Sequence, residues 1–195
     1  MTRAPSNPQP VLRPQDLIVL LRLAPEQGPA PSYSALGMEL GLTASEVHAA
    51  VERAVAAQLA LKGEDGKPTA VRAALRLFLQ HGARYCFPAA RGSLTRGVPT
   101  GYAAAPLKDL ILLGNDQPPA WPSPQGTVRG IALHPLYPTV PDAASRNPAL
   151  YELLRIAGSF RRRAGRQRAR AGARGGHARK AGFRMNANDP HVALA

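Results

Sequence analysis

Only one cysteine, Cys86, occurs among the 195 residues, which excludes an internal disulfide and any zinc site built from several thiolates. It sits in the apolar run Tyr85-Cys86-Phe87 and is expected to be a small core residue, not a reactive thiol. Aromatic residues supply only 5% of the chain. No apolar stretch approaches the roughly 20 residues that a membrane helix requires. The opening MTRAPSNPQP is polar and proline-rich and lacks the apolar centre of a secretory signal. No membrane partner is expected, and a cytoplasmic location is. Acidic residues are sparse after Asp65, and no carboxylate pair is placed for acid–base work. The histidines His48, His81, His134, His177 and His191 are scattered, without metal-ligand spacing. No G-x-S-x-G elbow occurs. The chain therefore reads as a non-enzyme with no catalytic residue, no metal site and no cofactor.

What it has in quantity is arginine, alanine, glycine and proline, a usage that often mirrors a GC-rich genome. The formal charge is +13, but it is unevenly spread. Residues 155–184 hold eleven basic side chains and no acidic one, leaving fourteen basic and twelve acidic elsewhere. A nearly neutral body thus carries a cationic tail, RRRAGRQRARAGARGGHARKAGFR. The tail has too few apolar side chains to offset its ordering entropy and is expected to be disordered when free. Its composition suits nonspecific attraction to nucleic-acid phosphates, with Arg161, Arg162 and Arg163 as candidate contacts. The alternatives are a solvated extension without a dedicated partner and a reading-frame artefact, since GC-rich DNA read out of frame also gives arginine, alanine and glycine.

The most informative stretch is Pro31 to Ala60, PSYSALGMELGLTASEVHAAVERAVAAQLA. Ser32 is placed to cap a short helix with Ala35, Leu36 and Leu40 as apolar positions. Gly41 is suited to end it, because glycine tolerates the left-handed conformation. Thr43-Ala44-Ser45-Glu46 is a capping box that opens a second helix, Thr43 to Ala57. Val47, Ala50, Val51 and Ala54 recur at i, i+3, i+4 and i+7, one stripe to seat that helix on a core. Thr43, Ser45, Glu46, His48, Ala49, Glu52 and Arg53 fall outside the stripe. Pro14 to Ala24 is a further helix, with Leu17, Leu20, Leu21 and Ala24 on one face. Leu59 to Lys62 alternates like a strand, and Gly63-Glu64-Asp65-Gly66 has turn chemistry.

Three helices followed by a hairpin, over roughly Gln15 to Pro68, resembles the winged helix-turn-helix superfamily, in particular bacterial transcriptional regulators of the multiple-antibiotic-resistance type. The sequence departs from that pattern in Ala54, where members usually carry leucine, and in Gln58, where they usually carry glycine. The wing is expected to be truncated, because Pro68 and a capping Thr69 lead straight into another helix. The resemblance implies a DNA-binding regulator whose second helix enters the major groove of double-stranded DNA, as a homodimer. Thr43, Ser45, His48, Ala49, Glu52 and Arg53 would face the duplex, with Lys62, Lys67, Arg72 and Arg76 as phosphate contacts. The competing expectation is a protein-interaction module, such as a winged-helix antitoxin that binds a toxin-like protein and represses its own operon.

The expected fold is α+β and mainly helical. Residues 1–12 form a flexible N-terminus and 13–82 the winged helix-turn-helix domain, which closes on a helix from Val71 to Gly82. A proline- and glycine-rich extension with short strands covers 83–146, a helix covers 147–160 and the basic tail covers 161–195. Within the extension, Arg84 to Pro88 is a strand candidate and Thr127 to Leu133 a clear strand. Arg91 to Thr100 is expected as an ordered loop with Arg91 and Arg96 exposed, an anion-binding loop being the alternative. Trp121 lies among prolines, suited to pinning this segment to the helices. Asn147 and Pro148 open the last helix, whose stripe Leu150, Leu153, Leu154 and Ala157 would pack on the body or on a twin subunit.

Overall fold

A computed structural model describes residues 11–25, 31–103 and 117–161. Most of the N-terminal segment and the tail from residue 162 onward, with Arg162 and Arg163, lie outside the described residues. The protein is α+β, with helix outweighing strand.

Helix α1 (Pro14–Leu23) starts with proline in its first turn and buries Leu17, Ile18, Val19, Leu20, Leu21 and Leu23. It is apolar almost all round because other elements cover it on several sides. Helix α2 (Tyr33–Leu40) begins where the Ser32 hydroxyl accepts the Ala35 N–H, and it ends at Gly41, with φ 68°. Gly37 lets the turn approach closely, since a Cβ there would stand 2.5 Å from the Leu42 carbonyl oxygen. Helix α3 (Ala44–Ala56) follows the Thr43/Glu46 capping box and buries Val47, Ala50, Val51 and Ala54. These match the stripe read from the sequence.

At the end of α3 the Leu59 N–H donates to the Ala54 carbonyl and the Gln58 N–H to that of Val55, both at 2.9 Å. This is a Schellman cap, whose left-handed position normally holds glycine. Here Gln58 occupies it, with φ 59°.

Strands β1 (Ala60–Lys62) and β2 (Pro68–Ala70) then pair antiparallel, Ala60 opposite Ala70 and Lys62 opposite Pro68. The hairpin is therefore formed, and the expectation that Pro68 and Thr69 open a helix is corrected. Proline at the first position of a strand sacrifices little of the ladder, and helix α4 (Arg72–Leu77) starts only after Val71. Gly82 does not stop it. The chain passes through a π-helical turn (Phe78–Gly82) into α5 (Ala83–Cys86). Gly82 keeps a right-handed backbone, φ −100° and ψ −44°, and makes room for the Phe78 ring, which a Cβ would meet at 2.8 Å. The strand expected at Arg84–Pro88 is thus a helical turn, and Cys86 is exposed instead of buried.

Beyond it the extension is more ordered than its composition suggests. Strand β3 (Arg91–Pro99) pairs antiparallel with both β4 (Pro119–Pro122) and β5 (Val128–Leu133), and β4 and β5 pair in parallel, closing a small barrel. The loop expected at Arg91–Thr100 is therefore a strand. Closure depends on glycine. A Cβ on Gly97 would lie 2.1 Å from the Trp121 carbonyl oxygen, and one on Gly130 2.0 Å from that of Pro118. Trp121 is buried and meets Tyr151 edge-on at 6.0 Å, tying the barrel to the helices.

Helix α6 (Val140–Arg146), unforeseen from the sequence, leads into α7 (Pro148–Phe160), which the Asn147 side chain caps by accepting the Leu150 N–H. Leu150, Leu153, Leu154 and Ala157 are buried with α1 in one continuous apolar cluster running from Leu17 to Ala157. Of the two partners open to that stripe, the body takes it.

Candidate nucleic-acid interface

The outer side of α3 is built by the same capping box that starts the helix. The Thr43 hydroxyl accepts the Glu46 N–H at 3.2 Å, and the Glu46 carboxylate accepts the Thr43 N–H at 2.8 Å. These bonds, led by the backbone one, hold the Glu46 carboxyl below its ordinary value. Thr43, Ala44, Ser45, His48 and Glu52 are exposed, and Ala49 is half-buried. The Tyr33 ring stands edge-on to His48 at 5.4 Å and steadies the imidazole from α2.

Glu52 is not a free charge. The Lys62 ammonium of the hairpin donates to its carboxylate, and the His48 Nε2 lies 3.4 Å away. The hydrogen bond from Lys62 is the main cause that lowers the Glu52 carboxyl and raises the Lys62 ammonium. The carboxylate that would repel a phosphate is thus masked by the hairpin, and Lys62 is spent in masking it.

Arg53 stands apart from this face. Its Nη2 and Nε donate to the two carboxylate oxygens of Asp16 at 2.6 and 2.8 Å. Asp16 is fully buried and also accepts the Arg13 N–H at 2.8 Å, capping α1. The bidentate pair raises the Arg53 guanidinium above its usual value and bolts α3 to α1. Arg53, expected at the duplex, therefore serves the interior; neutralising the buried Asp16 leaves the guanidinium no freedom to reach outward.

The other expected phosphate contacts divide similarly. Lys67 pairs with Asp65 at 3.2 Å, and the Arg72 Nε donates to the Ala24 carbonyl at 2.7 Å. Arg76 is exposed on α4. Arg161 is corrected: it is buried, and its Nε donates to the Phe87 carbonyl at 2.7 Å. Burial pushes its guanidinium down to about 10, so it remains charged at neutral pH but is turned inward.

No family model, curated protein or solved structure matches the chain.

Several side chains that shape this region escaped the sequence reading. The Thr139 hydroxyl donates to the Leu40 carbonyl at 2.7 Å, closing the end of α2 beside Gly41. Glu39 accepts from the Arg22 Nε at 2.8 Å and from the Asn147 Nδ2 at 2.6 Å, joining α1, α2 and the start of α7. The Arg146 Nη1 donates to the Met38 carbonyl at 2.9 Å. The proline-rich portion thus grips the back and end of α2 and leaves the outer side of α3 uncovered by described residues. Asp16 did carry a signal. It is a carboxylate in the first turn of an otherwise apolar helix, where it either caps or pairs. Among the described residues no group of His, Cys, Asp or Glu is placed to hold a metal ion. No described helix is long and apolar enough to cross a membrane.

Proposed function

We propose that the protein binds double-stranded DNA as a winged helix-turn-helix regulator, with α3 as the recognition helix and the β1–β2 hairpin as the wing. One observation carries the reading. α3 buries its whole apolar stripe and keeps Thr43, Ser45 and His48 uncovered on the opposite side. A helix so presented meets the width of a major groove, and its hydroxyl and imidazole groups are base-edge donors and acceptors. Lys62 beside it offsets the one carboxylate on the middle of the face. Arg76 and the basic residues beyond 161 add sequence-independent attraction to phosphates. Such proteins bind palindromic sites as dimers, and a homodimer is part of the proposal.

Full-length protein titrated against genomic fragments at physiological salt tests this reading. The Ser45→Ala/His48→Ala variant should lose about 1–3 kcal/mol of discrimination per lost base contact, with its stability unchanged. Retained selectivity in that variant refutes it.

A second reading rests on Arg53. With that guanidinium directed inward, the α3 face has no unpaired cation among the described residues, while Leu61, Leu77 and Tyr85 are exposed nearby in the chain. Such a surface also fits a protein partner, as in an autoregulating winged-helix antitoxin. Recovery of a stoichiometric protein complex whose formation is abolished by Leu77→Asp, with no selective DNA binding, would establish this second reading.

A further inference from the structure

The barrel carries a feature that α3 does not use. Arg96 on β3 and Arg129 on β5 are direct cross-strand partners, and both are exposed. Residues directly opposite in an antiparallel pair project to the same face, and like charges so placed repel. A sheet normally offsets such a pair with a carboxylate, and no described residue of the three strands supplies one. The described residues from Arg91 to Leu133, which hold the three strands, contain no acidic residue. Arg96 uses its Nε to donate to the Gly126 carbonyl at 2.7 Å, which fixes the stem and leaves its terminal nitrogens unspent. The Arg129 side chain has no hydrogen-bond or ion-pair partner among the described residues.

The two guanidiniums flank an open cavity of about 420 Å³ that is also lined by Leu94, Thr95, Thr127 and Val128. Thr127 adds an exposed hydroxyl. The lining is therefore cationic and hydrogen-bond-donating, edged by aliphatic side chains. That is the chemistry of an oxyanion receptor, and paired guanidinium forks match the geometry of phosphate oxygens.

We propose that Arg96 and Arg129 form a phosphate-binding site that holds the backbone of a nucleic acid. The cavity's openness favours a polyanion over a small free anion. A small ion in an open, solvated cleft is screened and gains little, whereas a strand is held by many such contacts at once and by release of its counterions. The nine basic residues of 162–184 offer further charge of the same kind on the same chain. The lining has no aromatic ring for base stacking, so recognition here is of the backbone and is independent of sequence. The site does not rest on α3.

The test uses full-length protein and a random-sequence duplex, with affinity measured at several salt concentrations. Each phosphate contact contributes about 0.9 to the slope of log affinity against log salt. Between 50 and 200 mM salt, Arg129→Gln should therefore lose about 3.5-fold less affinity than the wild type, and Arg96→Gln/Arg129→Gln about 12-fold less. Arg129→Lys, which keeps the charge, should retain the wild-type slope. Amide resonances of residues 94–96 and 127–129 should shift on addition of duplex. An unchanged slope in the double variant overturns the proposal, as do duplex-induced shifts that avoid those residues. If inorganic pyrophosphate saturates the resonances while duplex leaves them unmoved, the ligand is a small phosphate compound and the nucleic-acid assignment fails. Ser45→Ala/His48→Ala separates the two sites: it should abolish selectivity without altering the slope change caused by Arg129→Gln.

Discussion

Replacing Arg53 by methionine isolates what the α1–α3 bolt contributes. The substitution keeps an unbranched stem and removes the guanidinium, leaving the Asp16 carboxylate with only the Arg13 N–H. Stripping one partner from a buried ion pair costs about 3–5 kcal/mol, because the remaining charge is stranded in a poor solvent. Asp16 is fully buried but the Arg53 side chain keeps 15% of its exposure, so water reaches one side and the lower end, about 3 kcal/mol, applies. In a chain of this size that lowers Tm by about 6–12 °C.

The companion change Asp16→Asn removes the stranded charge, and its amide oxygen still accepts the Arg13 N–H. The double variant should therefore recover about 2 kcal/mol of the summed single costs, a coupling expected only of groups in direct contact. Urea denaturation of the four proteins gives the cycle. Additivity within about 0.5 kcal/mol would refute the buried-bolt account. A fall in DNA affinity with unaltered stability would return Arg53 to the interface. The result matters because Arg53→Ala, the obvious probe of a recognition helix, reads folding here before it reads binding.

Gln58→Gly should stabilise the protein, since glutamine at φ 59° bears a left-handed penalty of roughly 1–2 kcal/mol that glycine escapes. Allowing for the greater freedom of glycine in the unfolded chain, the net gain is about 1 kcal/mol, seen as a Tm rise of about 2–4 °C by calorimetry. No rise would mean that the Schellman cap is looser than its hydrogen bonds indicate. Acid should weaken the α3 cap and the hairpin lock. The Glu46 and Glu52 carboxyls are lowered in the folded state by Thr43 and Lys62 respectively. Their contribution is therefore complete above the ordinary glutamate value of 4.5 and fades as pH falls through the lowered values. Thermal melts from pH 7 to 3 should show a shallower acid decline in Glu46→Gln/Glu52→Gln, and identical declines would contradict the assignment.

The helical half was legible because its signals are local. A proline at a first turn, two hydroxyl caps, a glycine stop and a period-3.6 stripe each act within a few residues, and α1, α2 and α3 follow them. The left-handed backbone at position 58 was not legible, because the residue there is glutamine, which rarely adopts it. The barrel was not legible, because its logic is one of contact. Gly97 reads as a loop residue and Gly130 as an ordinary strand position until a carbonyl is seen occupying the space of their missing Cβ. Gly82 misled for the opposite reason: it makes room for a ring without reversing the chain. Pairing across long separations was equally hidden. Arg53 and Asp16 lie 37 residues apart, so a side chain on the outward side of one helix was turned to a neighbouring helix with no trace in either segment. On α3 the exposed row Thr43, Ser45 and His48 was visible; the absence of a free cation there was not.

The shared cluster that unites Leu17 with Ala157 bears on how the molecule is made. Ribosomes deliver the chain from the N-terminus, so α1 emerges long before the helix that covers it. Until α7 and the Thr139 hydroxyl arrive, the nascent α1–α3 unit exposes an apolar flank and an open end at Leu40. The earliest-made helices thus wait for nearly the whole described chain before they can settle. During that interval the unit is a natural client for a chaperone, and chains truncated before Thr139 should aggregate instead of giving a smaller working protein.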